Sequence, residues 1–464
     1  AALTPDADFI VIALVGLPAR GKSFISKKLE RYLNWRGESV KIFNVGGLAS
    51  ECRTTGYFHS MFTSFAGERR RKELQDKSTF HDASFFSATN LAARERLAQA
   101  VLVEMMDWLK EKNGGGTRIA IFDATNSRIA RRKTVDDTIK QHLPQCKLLF
   151  VESVCTEANI MERNLLQKVR NSPDYKSMSE KEALDDLMLR IGQYESQYES
   201  LTPEENLEKL HRSDSCEHVA AELHRLLQLA YIKLFNLSSL LHLNHIYGRL
   251  AKSLVPYMMS IHIGQRPIFL VRAAHVHGAS GNTRFSEDLD SGPSSPVAHR
   301  VDSTSVVVAR SAELSNQGLI FARSLAKFCE QESATFCGCM GDPCENGECG
   351  ANYERGSCAV FTSTLKRAVE TASFVKHSGT QRATSALNPI DKGVCYDLTD
   401  ADFQEQMPEE YARWRNDVRN QRYMGGESYQ DFVHRIEPLL MELEQQTLPV
   451  VVVGHLSTLQ ACFA

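Results

Sequence analysis

Gly16-Leu17-Pro18-Ala19-Arg20-Gly21-Lys22-Ser23 constrains this chain more than any other stretch. It fits the pattern G-x-x-x-x-G-K-[ST], and its flanks fit as well. Phe9–Val15 is a short apolar run of the kind that makes a buried strand. From Ser23 onward, Ile25, Leu29, Tyr32 and Leu33 recur at helical spacing. Strand, glycine-bounded loop and helix, in that order, make a phosphate-binding loop. Glycines let successive backbone N–H groups curl around phosphate oxygens, and the helix N-terminus adds its partial positive charge. Lys22 is placed to reach the β- and γ-phosphates, and the Ser23 hydroxyl to sit on Mg²⁺. Gly16, Ala19, Arg20, Gly21, Lys22 and Ser23 are therefore expected to hold a nucleoside triphosphate. No guanine-specificity motif follows, which favours ATP.

The loop opens a longer rhythm. Apolar runs at Phe9–Val15, Val40–Val45, Arg118–Phe122 and Lys147–Val151 alternate with helical patterns. Those patterns lie at Phe24–Trp35, Leu91–Lys110, Arg128–Gln141 and Ala158–Val169. This is the signature of an α/β fold with a mostly parallel sheet covered on both faces. Residues 180–260 read as mostly helical, with Ile232–Phe235 a further strand. A second α/β rhythm opens at Pro267–Val271 and continues at Ala359–Thr362 and Pro449–Val453. Two α/β domains follow, at 8–258 and 266–464. The polar segment Gly278–Arg300 reads as a mobile loop.

Composition narrows the function classes. The 464 residues carry a net charge of −3, which gives no basic footprint for nucleic acid or an anionic membrane. No apolar run is long enough to span a bilayer, and no secretory leader is visible, although the chain begins with Ala1 rather than Met. Twelve scattered cysteines in such a chain suit a reducing, cytoplasmic setting. Cys337, Cys339, Cys344, Cys349 and Cys358 cluster in one polar insertion. Their spacing suits either a zinc site or a reduced, solvent-facing insertion; it lacks the paired C-x2-C of a zinc ribbon.

Ile119–Asp123 is an apolar strand ending in an acid. In loop-type nucleotide enzymes such an acid lies near Mg²⁺, so Ser23 and Asp123 are the expected metal-holding pair. Beyond it, Arg128, Arg131, Arg132 and Lys133 fall on one predicted helix. A basic helix past a strand's carboxyl end suits a phosphorylated acceptor, although such a run taken alone is more often a solvated face.

Several stretches together resemble the bifunctional 6-phosphofructo-2-kinase/fructose-2,6-bisphosphatase family. They are Gly16–Ser23 with Ile25–Leu29 and Arg31–Trp35, then Phe43–Gly46, Phe122–Asn126, Glu152–Cys155, Ser172–Tyr175 and Arg190-Ile191-x-x-Tyr194-Glu195. The order and spacing match over nearly the whole chain. The resemblance implies a P-loop kinase domain and a histidine-phosphatase-like α/β domain. It implies transfer of the γ-phosphoryl group of ATP, with Mg²⁺, to the 2-hydroxyl of fructose 6-phosphate. Lys22, Asp123 and Cys155 match catalytic positions. Thr125, Arg131, Arg190 and Tyr194 match sugar-phosphate contacts, as does Arg96, with Arg94 the alternative register. A homodimer through the kinase half is also implied. Two departures stand out. Gly47–Ser50 replaces the family's acidic or polar residue, aromatic and paired arginines, so Ala49 and Ser50 lack a guanidinium and the next arginine is Arg53. Before Ser172, the family's Val-Lys appears as Lys168-Val169.

The second half departs further. Histidine phosphatases carry a strand ending Arg-His-Gly, whose histidine takes the phosphoryl group. Here the strand ends Arg272-Ala273-Ala274, and alanine has no lone pair for phosphorus. His275 and His277 follow, displaced from the strand edge. Arg367 and His455 match surviving positions, but Tyr396 stands at the family's acidic proton donor, with Asp397 beside it. Tyrosine, with an ordinary pKa near 10, is a poor acid for this step. The family continues past the equivalent of Ala464, so this domain is expected to be truncated at its C-terminus. Three readings stay open. One is a kinase with a degenerate phosphatase. The second is a non-catalytic nucleotide-binding regulator, and the third a bisphosphatase using a displaced histidine.

Overall fold

The structure is a computed structural model. It describes residues 8–45, 91–111, 117–171, 175, 178–202, 228–237, 239–261, 266–277, 313–334, 356–377, 379, 381–396 and 398–463. The chain divides into two compact units, Ala1–Ile261 and His262–Ala464.

The first unit is built on strands β1 (Phe9–Val15), β2 (Ser39–Asn44), β3 (Arg118–Asp123), β4 (Lys147–Val154), β5 (Tyr231–Phe235) and β6 (Leu240–Asn244). They lie in the order β2-β3-β1-β4-β5-β6. All neighbours are parallel except β5 and β6. Val11–Val15 and the whole of β3 are buried, as strands covered on both faces must be. Helices α1 (Lys22–Arg36), α2 (Leu91–Lys110), α3 (Ile129–His142), α4 (Ala158–Asn171), α5 (Glu180–Glu195) and α6 (Arg249–Ser260) accompany the sheet. Val101, Leu102, Met105, Met106 and Leu109 of α2 pack with Val135 and Ile139 of α3 in one core with Phe122. At about 1.5–3 kcal/mol for each large buried side chain, this core is the main source of the unit's stability.

One strand was hidden in the apparent helical region. β6 pairs antiparallel with β5, Tyr231 opposite Asn244 and Phe235 opposite Leu240. Its Leu-Leu-His-Leu-Asn sequence lacks period-two alternation because it is an edge strand, with Leu240, His242 and Leu243 exposed. The chain reverses through Asn236 and Leu237, both at positive φ. The Asn236 carboxamide oxygen also accepts from the backbone N–H groups of Thr156 (2.8 Å) and Glu157 (3.3 Å).

The second unit holds a four-stranded parallel sheet. Its strands are β7 (Ile268–Arg272), β8 (Ala359–Ser363), β9 (Arg382–Thr384) and β10 (Val450–Gly454), in the order β7-β10-β8-β9. β10 is central and wholly buried. Helices α7 (Asn316–Ala334), α8 (Lys366–Ala372), α9 (Asp400–Gln406), α10 (Pro408–Asn416), α11 (Tyr429–Gln445) and α12 (Leu456–Phe463) complete it. The segment 278–300, positions Ala49, Ser50, Arg53 and Asp397, and Cys337, Cys339, Cys344 and Cys349 lie outside the described residues. Among the described residues no cluster of histidines, cysteines or carboxylates could hold a metal ion. No described helix is long and apolar enough to cross a membrane.

Candidate active site

The loop between β1 and α1 closes over the carboxyl ends of β1 and β3. Gly16 starts it at φ +140°, where a Cβ would stand 2.6 Å from the Ser153 carbonyl oxygen, so only glycine fits. Its N–H donates to the Thr125 carbonyl at 2.9 Å, and the Ser153 hydroxyl donates to the Arg20 carbonyl. Asn126 donates to the Leu14 carbonyl at 2.7 Å, tying the loop that follows β3 back to β1. Ala19 (φ 59°) and Gly21 (φ 85°) turn left-handed. Gly21 then begins α1 with no side-chain cap. Phe24 and Ile25 both donate their N–H to the Gly21 carbonyl at 3.0 Å, and the N–H groups ahead of them, at Gly21, Lys22 and Ser23, precede any intrahelical acceptor, which makes this end an anion cradle.

Lys22 is buried beneath the loop and donates to the Leu17 carbonyl at 2.5 Å. Burial above all pushes its ammonium down to about 7, against the pull of Asp123, and the cations Lys168, Arg190 and Arg20 push the same way as burial. A polyanion among these four cations would reverse that balance, so the residues fit a bound triphosphate. Ser23 Oγ donates to Asp123 Oδ2 at 2.8 Å. Asn44 Nδ2 donates to the same oxygen at 3.0 Å. Burial pushes the Asp123 carboxyl up, opposed by the Ser23 bond and by Lys22, Lys168 and Lys27. Ser23 and Asp123, a hydroxyl and a carboxylate in contact, form the hard oxygen donor set that Mg²⁺ prefers.

A second cluster adjoins the loop. Arg131 Nε donates to Glu95 at 2.6 Å, and its Nη2 to the Arg94 carbonyl at 3.4 Å. The Arg94 guanidinium lies 5.5 Å from the centre of the Tyr194 ring. Arg20 pairs with Glu195 at 3.5 Å, joining the loop to the end of α5 that carries Arg190 and Tyr194. The predicted Arg96 does not share this cluster: it is exposed. Residues two apart on a helix point about 200° apart, so the turn that aims Arg94 at Tyr194 turns Arg96 away. Cys155 is buried just past β4, near enough for Arg20 to act on it. Burial pushes its thiol up, so it remains a thiol at neutral pH and is no nucleophile as it stands. The residues that motif reading missed are Asn44, Lys168, Glu95, Glu195 and Ser153. Of these, Asn44, Ser153 and Glu195 lay within the stretches that carry the resemblance, Lys168 stood out only as a departure, and Glu95 gave no signal.

In the second unit four of the predicted degenerate positions, Arg272, Ala273, Arg367 and His455, come together at the carboxyl ends of β7 and β10. Arg272 pairs with Gly454 in the strand register, and Ala273 N–H donates to the Gly454 carbonyl at 2.9 Å. His455 follows immediately and is buried. Arg367 Nη2 lies 3.1 Å from His455 Nδ1, and Ser363 Oγ 2.8 Å from Nε2. A guanidinium can only donate, so Nδ1 accepts, Nε2 carries the hydrogen, and that hydrogen goes to Ser363. Burial first, then Arg367 and Arg272, push the imidazole down to about 3. His455 is thus neutral and unable to act as base toward Ser363. Ala273 packs its methyl group against the apolar cluster of Val271, Ala368 and Val453. His275 Nδ1 is 2.9 Å from Ser315 Oγ, and His277 is exposed, its N–H on the Glu313 carbonyl at 3.0 Å. Tyr396 ends the short 3₁₀ turn Gly393–Cys395.

The fold and the two sites together define a P-loop α/β kinase-type unit followed by a histidine-phosphatase-type unit. Residues 4–265 match the family described as 6-phosphofructo-2-kinase, and residues 350–464 match the histidine phosphatase superfamily, branch 1. The Rattus norvegicus protein called 6-phosphofructo-2-kinase/fructose-2,6-bisphosphatase 3 is 32% identical over 458 residues, covering 98% of this chain and 65% of its own length. Its Homo sapiens counterpart is 32% identical over the same span, with 69% of its length covered. The Caenorhabditis elegans 6-phosphofructo-2-kinase/fructose-2,6-bisphosphatase is 32% identical over 460 residues, 98% of this chain and 80% of that protein. The chain belongs to the 6-phosphofructo-2-kinase/fructose-2,6-bisphosphatase family. It spans 65% of the length of the rat relative.

Proposed function

We propose that the first unit transfers the γ-phosphoryl group of ATP to the 2-hydroxyl of fructose 6-phosphate, and that the second unit does not hydrolyse the product. The observation that carries the kinase reading is the 2.8 Å bond from Ser23 to Asp123, set beside a buried Lys22 within reach of Arg20, Lys168 and Arg190. Phosphoryl transfer needs positioning and charge neutralisation more than covalent chemistry. The loop N–H groups and Lys22 would hold the β- and γ-phosphates, with Arg20 alongside. Ser23 and Asp123 would hold Mg²⁺, which would supply charge neutralisation for the phosphates. Asp123 would accept the proton of the attacking hydroxyl. Thr125, Arg131, Arg190, Tyr194 and Arg94, rather than Arg96, would hold the sugar phosphate. Cys155 would line the pocket as a neutral thiol.

Loss of hydrolysis is supported by Ala273, which presents a methyl group where the family presents a nucleophile. The neutral, doubly engaged His455 and the side-chain engagement of His275 supply no substitute. A cytoplasmic setting suits the free thiols. The family's kinase-half homodimer suits the exposed edge strand β6, with Leu240 and Leu243 outward. Leu243→Lys should then give monomers in analytical ultracentrifugation.

The test is a coupled assay with ATP, Mg²⁺ and fructose 6-phosphate, with Lys22→Met as the inactive control. ATP binding without product at saturating sugar phosphate would replace the kinase reading with that of a nucleotide-binding regulator. Hydrolysis of fructose 2,6-bisphosphate that disappears in His277→Ala would restore the phosphatase.

A further inference from the structure

Asp123 ends β3, and Asn44 ends the neighbouring edge strand β2. The parallel register makes the two residues partners, so their side chains leave the same face of the sheet. Asn44 Nδ2 donates to Asp123 Oδ2 at 3.0 Å, and Ser23 Oγ donates to that same oxygen at 2.8 Å. A carboxylate oxygen offers two lone-pair positions. Both positions of Oδ2 are taken, while Oδ1 receives no hydrogen bond from any described residue.

We propose that Asn44 is a positioning residue for phosphoryl transfer: by completing the saturation of Oδ2 it commits Oδ1 of Asp123 to the reaction. The proposal rests on the kinase reading above. The terminal torsion of an aspartate is broad and two-fold, so one donor alone does not decide which oxygen faces the site. The Ser23 hydroxyl is also the group a bound metal would recruit. Asn44 is the donor that holds the carboxylate whether or not the nucleotide is present. Its backbone is fixed by the β2–β3 ladder, and the next residue, Val45, donates its N–H to the Asp123 carbonyl at 3.2 Å. A one-residue slip of β2 would place Phe43 or Val45 there, and neither side chain can donate.

Asn44→Leu keeps the size and removes the donor; Asn44→His returns an N–H at the same branch point. Asn44→Leu is expected to lower kcat by about 10–100-fold while both KM values stay within about threefold. Mn²⁺ binding to the protein–ADP complex, followed by electron paramagnetic resonance, should weaken by about tenfold, with affinity for metal-free ADP unchanged. Asn44→His should recover a measurable part of both losses. Unchanged kcat and Mn²⁺ affinity in Asn44→Leu would overturn the proposal. So would losses accompanied by an equal loss of ADP affinity and no recovery in Asn44→His, which is the pattern of a purely structural role. If Asn44→Leu does not fold, Asn44→Ala is measured by the same criteria. If the wild-type protein does not phosphorylate fructose 6-phosphate, the kinase reading falls, and the Mn²⁺ titration alone decides the role of Asn44.

Discussion

Lys22 should make nucleotide binding take up a proton. Its ammonium is held at about 7 rather than 10.5, chiefly by burial and then by Lys168, Arg190 and Arg20 acting against Asp123. A triphosphate in their midst favours the charged lysine, so the complex restores the proton wherever the free protein has lost it. At pH 8 about nine-tenths of free Lys22 is neutral, and binding takes up about 0.9 proton; at pH 6 it takes up about 0.1. The apparent Kd therefore weakens about tenfold between pH 6 and pH 8, or about 1.4 kcal/mol. Titration calorimetry in buffers of different ionisation enthalpy counts the protons. The nucleotide's own phosphate titrates nearby, so Lys22→Arg, charged throughout, is the reference to subtract. The same shift acts on stability. The folded pKa lies below the unfolded one, so between about pH 7 and 10.5 the unfolded chain binds the extra proton. The free protein gains stability as pH rises through that window, and Lys22→Met loses this dependence. Proton uptake at pH 8 that is the same in wild type and Lys22→Arg would refute the whole chain of reasoning.

Gly16→Ala adds a methyl group 2.6 Å from the Ser153 carbonyl, at a φ that L-residues avoid. It should cost about 2–4 kcal/mol in thermal or urea unfolding, and weaken ATP binding at least about tenfold by equilibrium fluorescence. Arg94→Ala should raise the KM for fructose 6-phosphate by about 10–100-fold, while Arg96→Ala leaves it within about twofold. Equal effects at the two positions would contradict the helix phase described for α2. Incubation with fructose 2,6-bisphosphate labelled at the 2-phosphate should leave no acid-labile phosphoprotein. Ala273→His should label slowly, because Arg272, Arg367 and His455 still stand beside that position while the family's acidic proton donor is replaced in the sequence by Tyr396.

How much of this was legible in the sequence depended on how local the cause was. The phosphate loop was readable because its glycines answer to constraints within a few residues: a left-handed turn at Gly21 and a close approach at Gly16. Even so, the partner that enforces the approach, the Ser153 carbonyl, lies on a strand 137 residues away. Strands β1, β3 and β10 announced themselves as unbroken apolar runs because both their faces are buried. β6 did not, because an edge strand with exposed leucines gives neither a helical nor an alternating pattern, and its existence depends on the Asn236–Leu237 turn. The choice between Arg94 and Arg96 was a question of helix phase. Phase is set by which residues of α2 face the Val135 and Ile139 core, a tertiary fact.

Asn44 shows the limit most plainly. The sequence places it at the end of an apolar run, where an asparagine ordinarily reads as a turn residue. Its chemistry comes from strand register: β2 and β3 run parallel without offset, so Asn44 meets Asp123. Ser23 reaches the same carboxylate from a helix that begins on the other side of β3 in the sheet order. Three residues from three elements thus meet at one oxygen of one carboxylate. No spacing rule within a single segment encodes that result. The second unit carries the complementary lesson: Ala273 is visible as a missing side chain, but the neutral state of His455 follows from its burial first and then from the Arg367 and Arg272 guanidiniums that the fold brings beside it. An alanine in place of a family histidine can be read from one letter, whereas the protonation of its neighbours is a property of the packed fold.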